Sequence, residues 1–419
     1  MIELRASSPD YALLRSAGKD LLSLALFDAR NRTLAWASLL ETAHGGQVLR
    51  LSAELSPAIA ETLDPPLWTL GHLGWFQEKW IGRNVQRSRG PWSDPAGPRL
   101  ASILPGADRW YDPAAVARAA RRELAATELP DLQATRQYLI ESLETTLDLL
   151  DALREEDDDS LYFHRLALFH EELHLEDFAV LAQTLGFEPP PGAMSRIATH
   201  ASRPPLFFPA TRWLQGTGAP GFVFDNEREP HPVSIPEFEI DAQTVTWAQF
   251  SEFVEDGGYD ERSHWSEAGW AWAEREARRT PRHVDQMRHG VLRCRFGRLT
   301  RVANAEPAVH VSAWEAEAWC RWAARRLPSE VEWEAAAHQG ATRGFRFGDV
   351  WEWTATTFRP YPGFVAGPWR DYSVPCFGTT RVLRGASVAT SRSLGSARFR
   401  KFAEPDRDDG FFGFRSCAA

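Results

Sequence analysis

Residues 168–177 read LFHEELHLED and set His170 and His174 four positions apart, with carboxylates at Glu171, Glu172, Glu176 and Asp177. On an α-helix, positions i and i+4 share one face, so these two imidazoles can aim at a single point. His164 and Glu171 fall on other faces. Glu176 lies about 200° around the helix from His174 and points away from anything the pair would hold. Two imidazoles are too few for a catalytic metal, which takes three protein ligands and leaves positions open. The best third donor is His72, in the aromatic run TLGHLGWFQEKW (69–80), where a bare imidazole would carry a desolvation cost. Three imidazoles without a carboxylate or thiolate suit iron(II), cobalt or zinc. Trp75, Phe76 and Trp80 read as packing around that donor.

Two other readings compete. HEELH also fits HExxH, which would make Glu171 the general base of a zinc protease and demand a third ligand downstream. Against it, the segment sits in an acidic bundle helix, with no active-site strand or later ligand helix in the same region. A two-domain protein holding a structural metal, without catalysis, is the alternative of another class.

The elements that must bring residue 72 to residues 170 and 174 are helices. Residues 8–40 carry apolar side chains at helical spacing, Pro65-Pro66 breaks the chain, and a second helix starts soon afterwards. A shorter run covers 113–127, a long amphipathic helix 131–154, and another 161–186, closed by Gly186 and PPPG. Four or five helices of this length, with no internal repeat, predict a bundle. From 187 to about 209 the chain is rich in Pro, Ser and Arg and reads as a surface connection.

Beyond that the pattern becomes α+β. Helices are expected to open near Thr244 or Thr246, at Ser312 with Glu315 completing a capping box, and near Ser329. Twelve of the eighteen tryptophans lie after residue 212, so this half is expected to rest on aromatic side chains more than on long strand ladders. With 43% hydrophobic residues the chain can bury at least two sizeable cores. A net charge of −10 argues against a nucleic-acid partner, because phosphate binding wants concentrated positive charge. The four cysteines are scattered and form no CxxC pair, so neither a disulfide framework nor a zinc-thiolate site is expected. No cationic apolar leader and no apolar run of membrane-spanning length is present, which predicts a cytoplasmic protein without a membrane partner.

In the last eighty residues, arginines 381, 384, 398, 400, 407 and 415 interleave with aromatics and glycines and read as scaffold, stacking on rings and satisfying loop carbonyls. Tyr372 stands apart as one of only seven tyrosines, in a polar loop. A phenol there can give a proton or an electron, whereas packing needs only Phe. Cys376, four residues on, is a bystander or part of a pocket wall.

LGHLGWFQEKW, FHEELHLEDF, WEWT, RVLRGASVAT and the terminal GFFGFRSC together resemble the ergothioneine-biosynthesis sulfoxide synthase family over nearly the whole chain. The resemblance implies a DinB-like helical bundle at 1–190 carrying the iron ligands. A formylglycine-generating-enzyme-like, C-type-lectin-type α+β domain at 191–419 would cover the active site. It implies Fe(II) on His72, His170 and His174, with hercynine, O2 and a thiol or selenosugar donor as small-molecule partners. Glu171 would then be no protease base. The trimethylammonium of hercynine would favour aromatic faces, with Phe402, Trp369, Trp351 and Trp353 as candidates and Cys376 beside them. Tyr372 would be the residue of the second domain nearest the oxygen chemistry.

Some positions depart from the family pattern. The family's NWD appears as Lys401-Phe402-Ala403, its glutamine before the last histidine is Leu173, and LPGADRWYDP (104–113), with one arginine, shows no arginine-rich segment to grip an anionic dipeptide. The terminal segment looks more like that of the related selenoneine synthases, which join hercynine to a selenosugar. The chain is therefore expected to form a C–Se bond at imidazole C2. The alternative is sulfoxide synthesis with cysteine or γ-glutamylcysteine.

Overall fold

The computed structural model describes residues 11–51, 63–287 and 289–419. Four long helices dominate the first half: α1 (Lys19–Thr42), α2 (Pro66–Gln77), α3 (Leu132–Asp151) and α4 (Asp158–Leu185). On α1 the buried residues Leu22, Leu26, Ala29, Thr33, Trp36 and Leu40 recur at three- and four-residue spacing, which turns one stripe onto α3 and α4. The expected run 8–40 is broken in two, because Tyr11–Arg15 is a separate short helix ending before Gly18. Residues 8–10 of that run lie outside the described residues. The run 113–127 is helical only at its end, Arg121–Thr127, after a 3-10 turn.

Helix α2 is buried on every side, Pro66 occupying its first turn, where a missing N–H costs nothing. Gly71 and Gly74 present no side chain to the rings of Tyr111 and Tyr138, which therefore come up against the helix backbone. Past Gln77 the helix widens into a π turn over Glu78–Gly82. Helix α4 starts on Asp157, whose carboxylate accepts from the Ser160 N–H, and carries Asp158 and Asp159 in its first turn, where the helix dipole favours anions. It ends at Gly186, in the left-handed conformation at φ 77°, its Cα packed against the backbone of Gly297.

From Leu206 onward the chain is mixed α+β. One four-stranded sheet runs in the order Ser396–Ala403, Arg381–Gly385, Trp351–Thr357, Phe412–Phe414, antiparallel except for the last pair. A second links Leu206–Phe208, Phe238–Ile240, Cys417–Ala418 and Arg325–Arg326. Helices α5 (Trp247–Glu255), α6 (Ala313–Trp322) and α7 (Glu330–Gly340) open on Thr246, Ser312 and Ser329, each with a complete capping box. The arginines are largely scaffold, as expected. Arg384, Arg400 and Arg415 are fully buried and paired with Glu330, Glu334 and Glu352. Among the described residues no helix is long and apolar enough to cross a membrane.

One apolar core runs through both halves, from Leu22 and Trp68 to Trp351 and Phe414. Polar anchors cross the same junction. Buried Glu176 on α4 accepts from Trp351 Nε1 at 2.7 Å and Thr390 Oγ1 at 3.2 Å, and pairs with Lys401 Nζ at 3.1 Å. Arg15 forks onto Glu227, at 2.6 and 3.1 Å.

Candidate metal centre

Helix α2 brings His72 to the face of α4 that carries His170 and His174. The three offer ligand nitrogens that all lie within 4.8 Å of one another. His72 Nε2 stands 3.2 Å from His170 Nε2. Two nitrogens each about 2.1 Å from one ion and at right angles would be about 3 Å apart, so this pair has the spacing of adjacent ligands. His72 donates its Nδ1–H to the carbonyl of Tyr111 at 2.8 Å, which leaves the Nε2 lone pair facing the other rings. Two opposed lone pairs at that distance repel unless a proton or a cation lies between them.

A second proton on either ring is disfavoured here. Burial, followed by the neighbouring His174, pushes both His72 and His170 well below the usual imidazole range. They are neutral at pH 7, the form that binds metal. Three imidazoles with open positions fit a non-haem ferrous ion, the donor set being all nitrogen and the remaining coordination sites free for small molecules. Among the described residues this is the one cluster of three or more such donors that converges.

Aromatic rings wall the cluster. Phe76 lies flat on His170, centroids 3.6 Å apart, and Trp68 stacks on His72 at 4.8 Å. From the second half Trp369 meets His170 edge-on at 5.0 Å and Phe76 at 5.2 Å. The loop carrying Trp369 is stapled at both ends by Asp225, which accepts from Gly367 N at 3.2 Å and Ser373 Oγ at 2.7 Å. A cavity of about 150 Å³ opens beside His72, between Trp75, Phe76, Trp80 and Trp369. Asp112, Asp371, Lys79 and Arg370 rim it, Lys79 pairing with Asp112 at 3.0 Å and lying 4.3 Å over the Trp75 ring.

The remaining candidates fall at different depths. Tyr372 stacks behind Trp369 at 4.6 Å and touches Phe402 and Phe224, so Trp369 and not Tyr372 is the ring against the histidines. Burial, with Glu227 and Asp225 nearby, raises the Tyr372 phenol well above its ordinary range, and it stays protonated. Phe402 stacks on Phe358. Trp351 is bonded to Glu176, two residues past His174. Trp353 is a core ring, its N–H on the Val311 carbonyl and its face against Phe412. Half-buried Cys376 keeps its proton, since burial raises the thiol.

Glu171 turns away into the bundle, where Arg30 forks onto it at 2.8 and 3.0 Å and Thr33 donates at 2.6 Å. Both its oxygens are engaged by Arg30 and Thr33, which argues against a protease base. Sequence reasoning missed Asp177, whose Oδ2 lies 3.0 Å from His174 Nδ1. Its i,i+3 spacing was a usable signal. It also assigned Trp75 and Trp80 to packing alone, and the Tyr111 carbonyl left no trace in the side-chain pattern.

The family model for the sulfatase-modifying factor enzyme 1-like domain matches residues 208–347 and 344–419. A hercynine oxygenase of Mycolicibacterium smegmatis is 33% identical over 87% of this chain and 93% of its own length. That of Mycolicibacterium thermoresistibile is 31% identical over 94% of each. A formylglycine-generating enzyme of Streptomyces coelicolor is 28% identical over 55% of this chain and 92% of its own.

Proposed function

This chain belongs to the hercynine oxygenase family of non-haem iron-dependent oxidoreductases, and we propose that it joins imidazole C2 of hercynine to a sulfur or selenium donor at the expense of O2. The single observation that carries the reading is the convergence of His72, His170 and His174 beneath Trp369. In the division of labour proposed, residues 1–190 hold the ion and 191–419 cover it. A ferrous ion held there by His72, His170 and His174 would supply open sites and redox chemistry for O2 activation, the electrons coming from the two substrates. With a thiol donor, the C2–H and S–H bonds break, one C–S bond forms, one oxygen atom stays on sulfur and the other leaves as water. That four-electron oxidation matches the four electrons O2 accepts.

The protein's own residues then bind, orient and exclude water. The cavity beside His72 suits the betaine end of hercynine: the Trp369 face favours trimethylammonium, Asp371 balances its charge, and Arg370 is a partner for the carboxylate, while Lys79 covers Trp75 and pairs with Asp112. Phe402, against Tyr372, backs this wall, while Trp351 packs on Phe399 and Trp353 on Phe412. Tyr372, protonated and one ring behind Trp369, is proposed to hold a proton for the oxygen chemistry. Tyr372→Phe should keep iron and fold while slowing turnover or diverting it to donor oxidation; an unchanged rate and product ratio would remove it from that role.

Kinship with hercynine oxygenases favours the thiol-donor reading, cysteine or γ-glutamylcysteine, as the first. The selenosugar reading is favoured by Lys401-Phe402-Ala403 and Leu173. A direct competition under O2, with Fe(II), hercynine and equal selenosugar, cysteine and γ-glutamylcysteine, decides between them when products are weighed by mass spectrometry. A C2–S product alone supports the first, a C2–Se product the second. No C2-substituted product from any donor overturns both.

A further inference from the structure

Each of the three imidazoles is oriented by a different device. His72 is pinned by the Tyr111 carbonyl and a stacked tryptophan, and His170 by Phe76 lying flat upon it. His174 is the least buried of the three, and its ring contacts are edge-on, to the other two histidines. Its one hydrogen bond runs from Nδ1 to Asp177 Oδ2 at 3.0 Å. Asp177 sits one turn further along α4, where its side chain reaches back to the ring.

Asp177 also faces groups outside the helix. Its carboxylate faces a narrow cleft of about 80 Å³ shared with Asp64, Thr69, Arg118 and Arg407. Its side chain is about half exposed, and Arg118 and Arg407 line the same cleft. Lys401 grips Glu176, the residue between the ligand and its carboxylate partner's turn. The second half of the chain thus contributes a cation to the group that holds a ligand in the first half.

We propose that Asp177 is a positioning residue that fixes His174 with its proton on Nδ1 and its Nε2 aimed at the ion. Without the acceptor the ring is free to turn about χ2 and to carry its proton on either nitrogen, and the third ligand is lost for part of the time. Partners of this kind commonly change metal affinity by about 10- to 100-fold. The proposal rests on the metal reading given above, and its test separates the two.

The probe is Co(II) alone, added anaerobically to metal-free full-length protein, with affinity taken from competition against a chelator and geometry from the visible absorption bands. Asp177→Ala should lose about 10- to 100-fold in affinity, with altered bands, while its unfolding transition without metal stays put. Asp177→Asn, which keeps an acceptor oxygen in the same place, should recover most of that loss. An alanine variant with wild-type affinity and bands overturns the proposal, and so does an asparagine variant that falls as far as alanine. Wild-type protein that takes up no Co(II) overturns the metal reading itself.

Discussion

Glu171→Ala tests whether the second residue of HEELH acts on substrate or on the fold. Arg30 is 1% exposed and spends its Nε and one Nη2 hydrogen on Glu171, at 2.8 and 3.0 Å. Gln77 Oε1 takes the other Nη2 hydrogen at 2.7 Å, and Nη1 reaches the Leu139 carbonyl and Ser142. Removing one member of a buried pair costs about 3–5 kcal/mol, because a charge is left without its counterpart. Since about half the guanidinium donors keep acceptors, the lower end applies, about 3 kcal/mol. At about 1.4 kcal/mol per decade this is about a hundredfold in the folding equilibrium.

The assay is urea unfolding of the metal-free protein followed by far-ultraviolet circular dichroism, with turnover measured well below the transition. Arg30→Met combined with Glu171→Leu should return to within about 1 kcal/mol of wild type, because a buried ion pair is often no better than apolar packing of like volume. Folded Glu171→Gln should bind metal and turn over near normally. A Glu171→Gln protein of normal stability whose turnover falls by orders of magnitude would refute the structural role and restore a catalytic base.

Gly71→Ala should lose about 1–3 kcal/mol and also weaken metal binding, because the added Cβ drives into the Tyr111 ring while the Tyr111 carbonyl holds His72. Thermal unfolding and Co(II) titration check it, and unchanged values of both would refute it. His164 gives a pH signature: burial, with Arg87 nearby, lowers its pKa to about 4. The unfolded imidazole, near 6.5, therefore binds an extra proton between about pH 6.5 and 4. Stability is fully present above that window and falls as the pH drops through it, by on the order of 3 kcal/mol from this group. In metal-free protein, His164→Leu should remove one proton's worth of that slope, measured as the urea midpoint from pH 7 to pH 4; an unaltered slope would refute it.

Local chemistry made much of this molecule legible. The i,i+4 spacing of His170 and His174 put both rings on one helical face, and Ser312 with Glu315 and Ser329 with Glu332 started helices where hydroxyl and carboxylate could satisfy orphan N–H groups. His72 stood out because an imidazole in a wholly apolar run needs a reason. These inferences depend on neighbours within a turn or two, and the chain carries that information in its order of residues.

What tertiary structure alone decided lies across the junction between the two halves. Nothing in the spacing of residues could say that Trp369 would lie on His170 with Tyr372 behind it, or that Trp353 would be core while Trp351 reached Glu176. The Tyr111 carbonyl that orients His72 belongs to the backbone, which is the same in every residue. The direction of Glu171 was likewise fixed by Arg30, 141 positions away. Contacts of that range arise only once helices and loops have packed, because a side chain's partner is chosen by the shape of the space left for it.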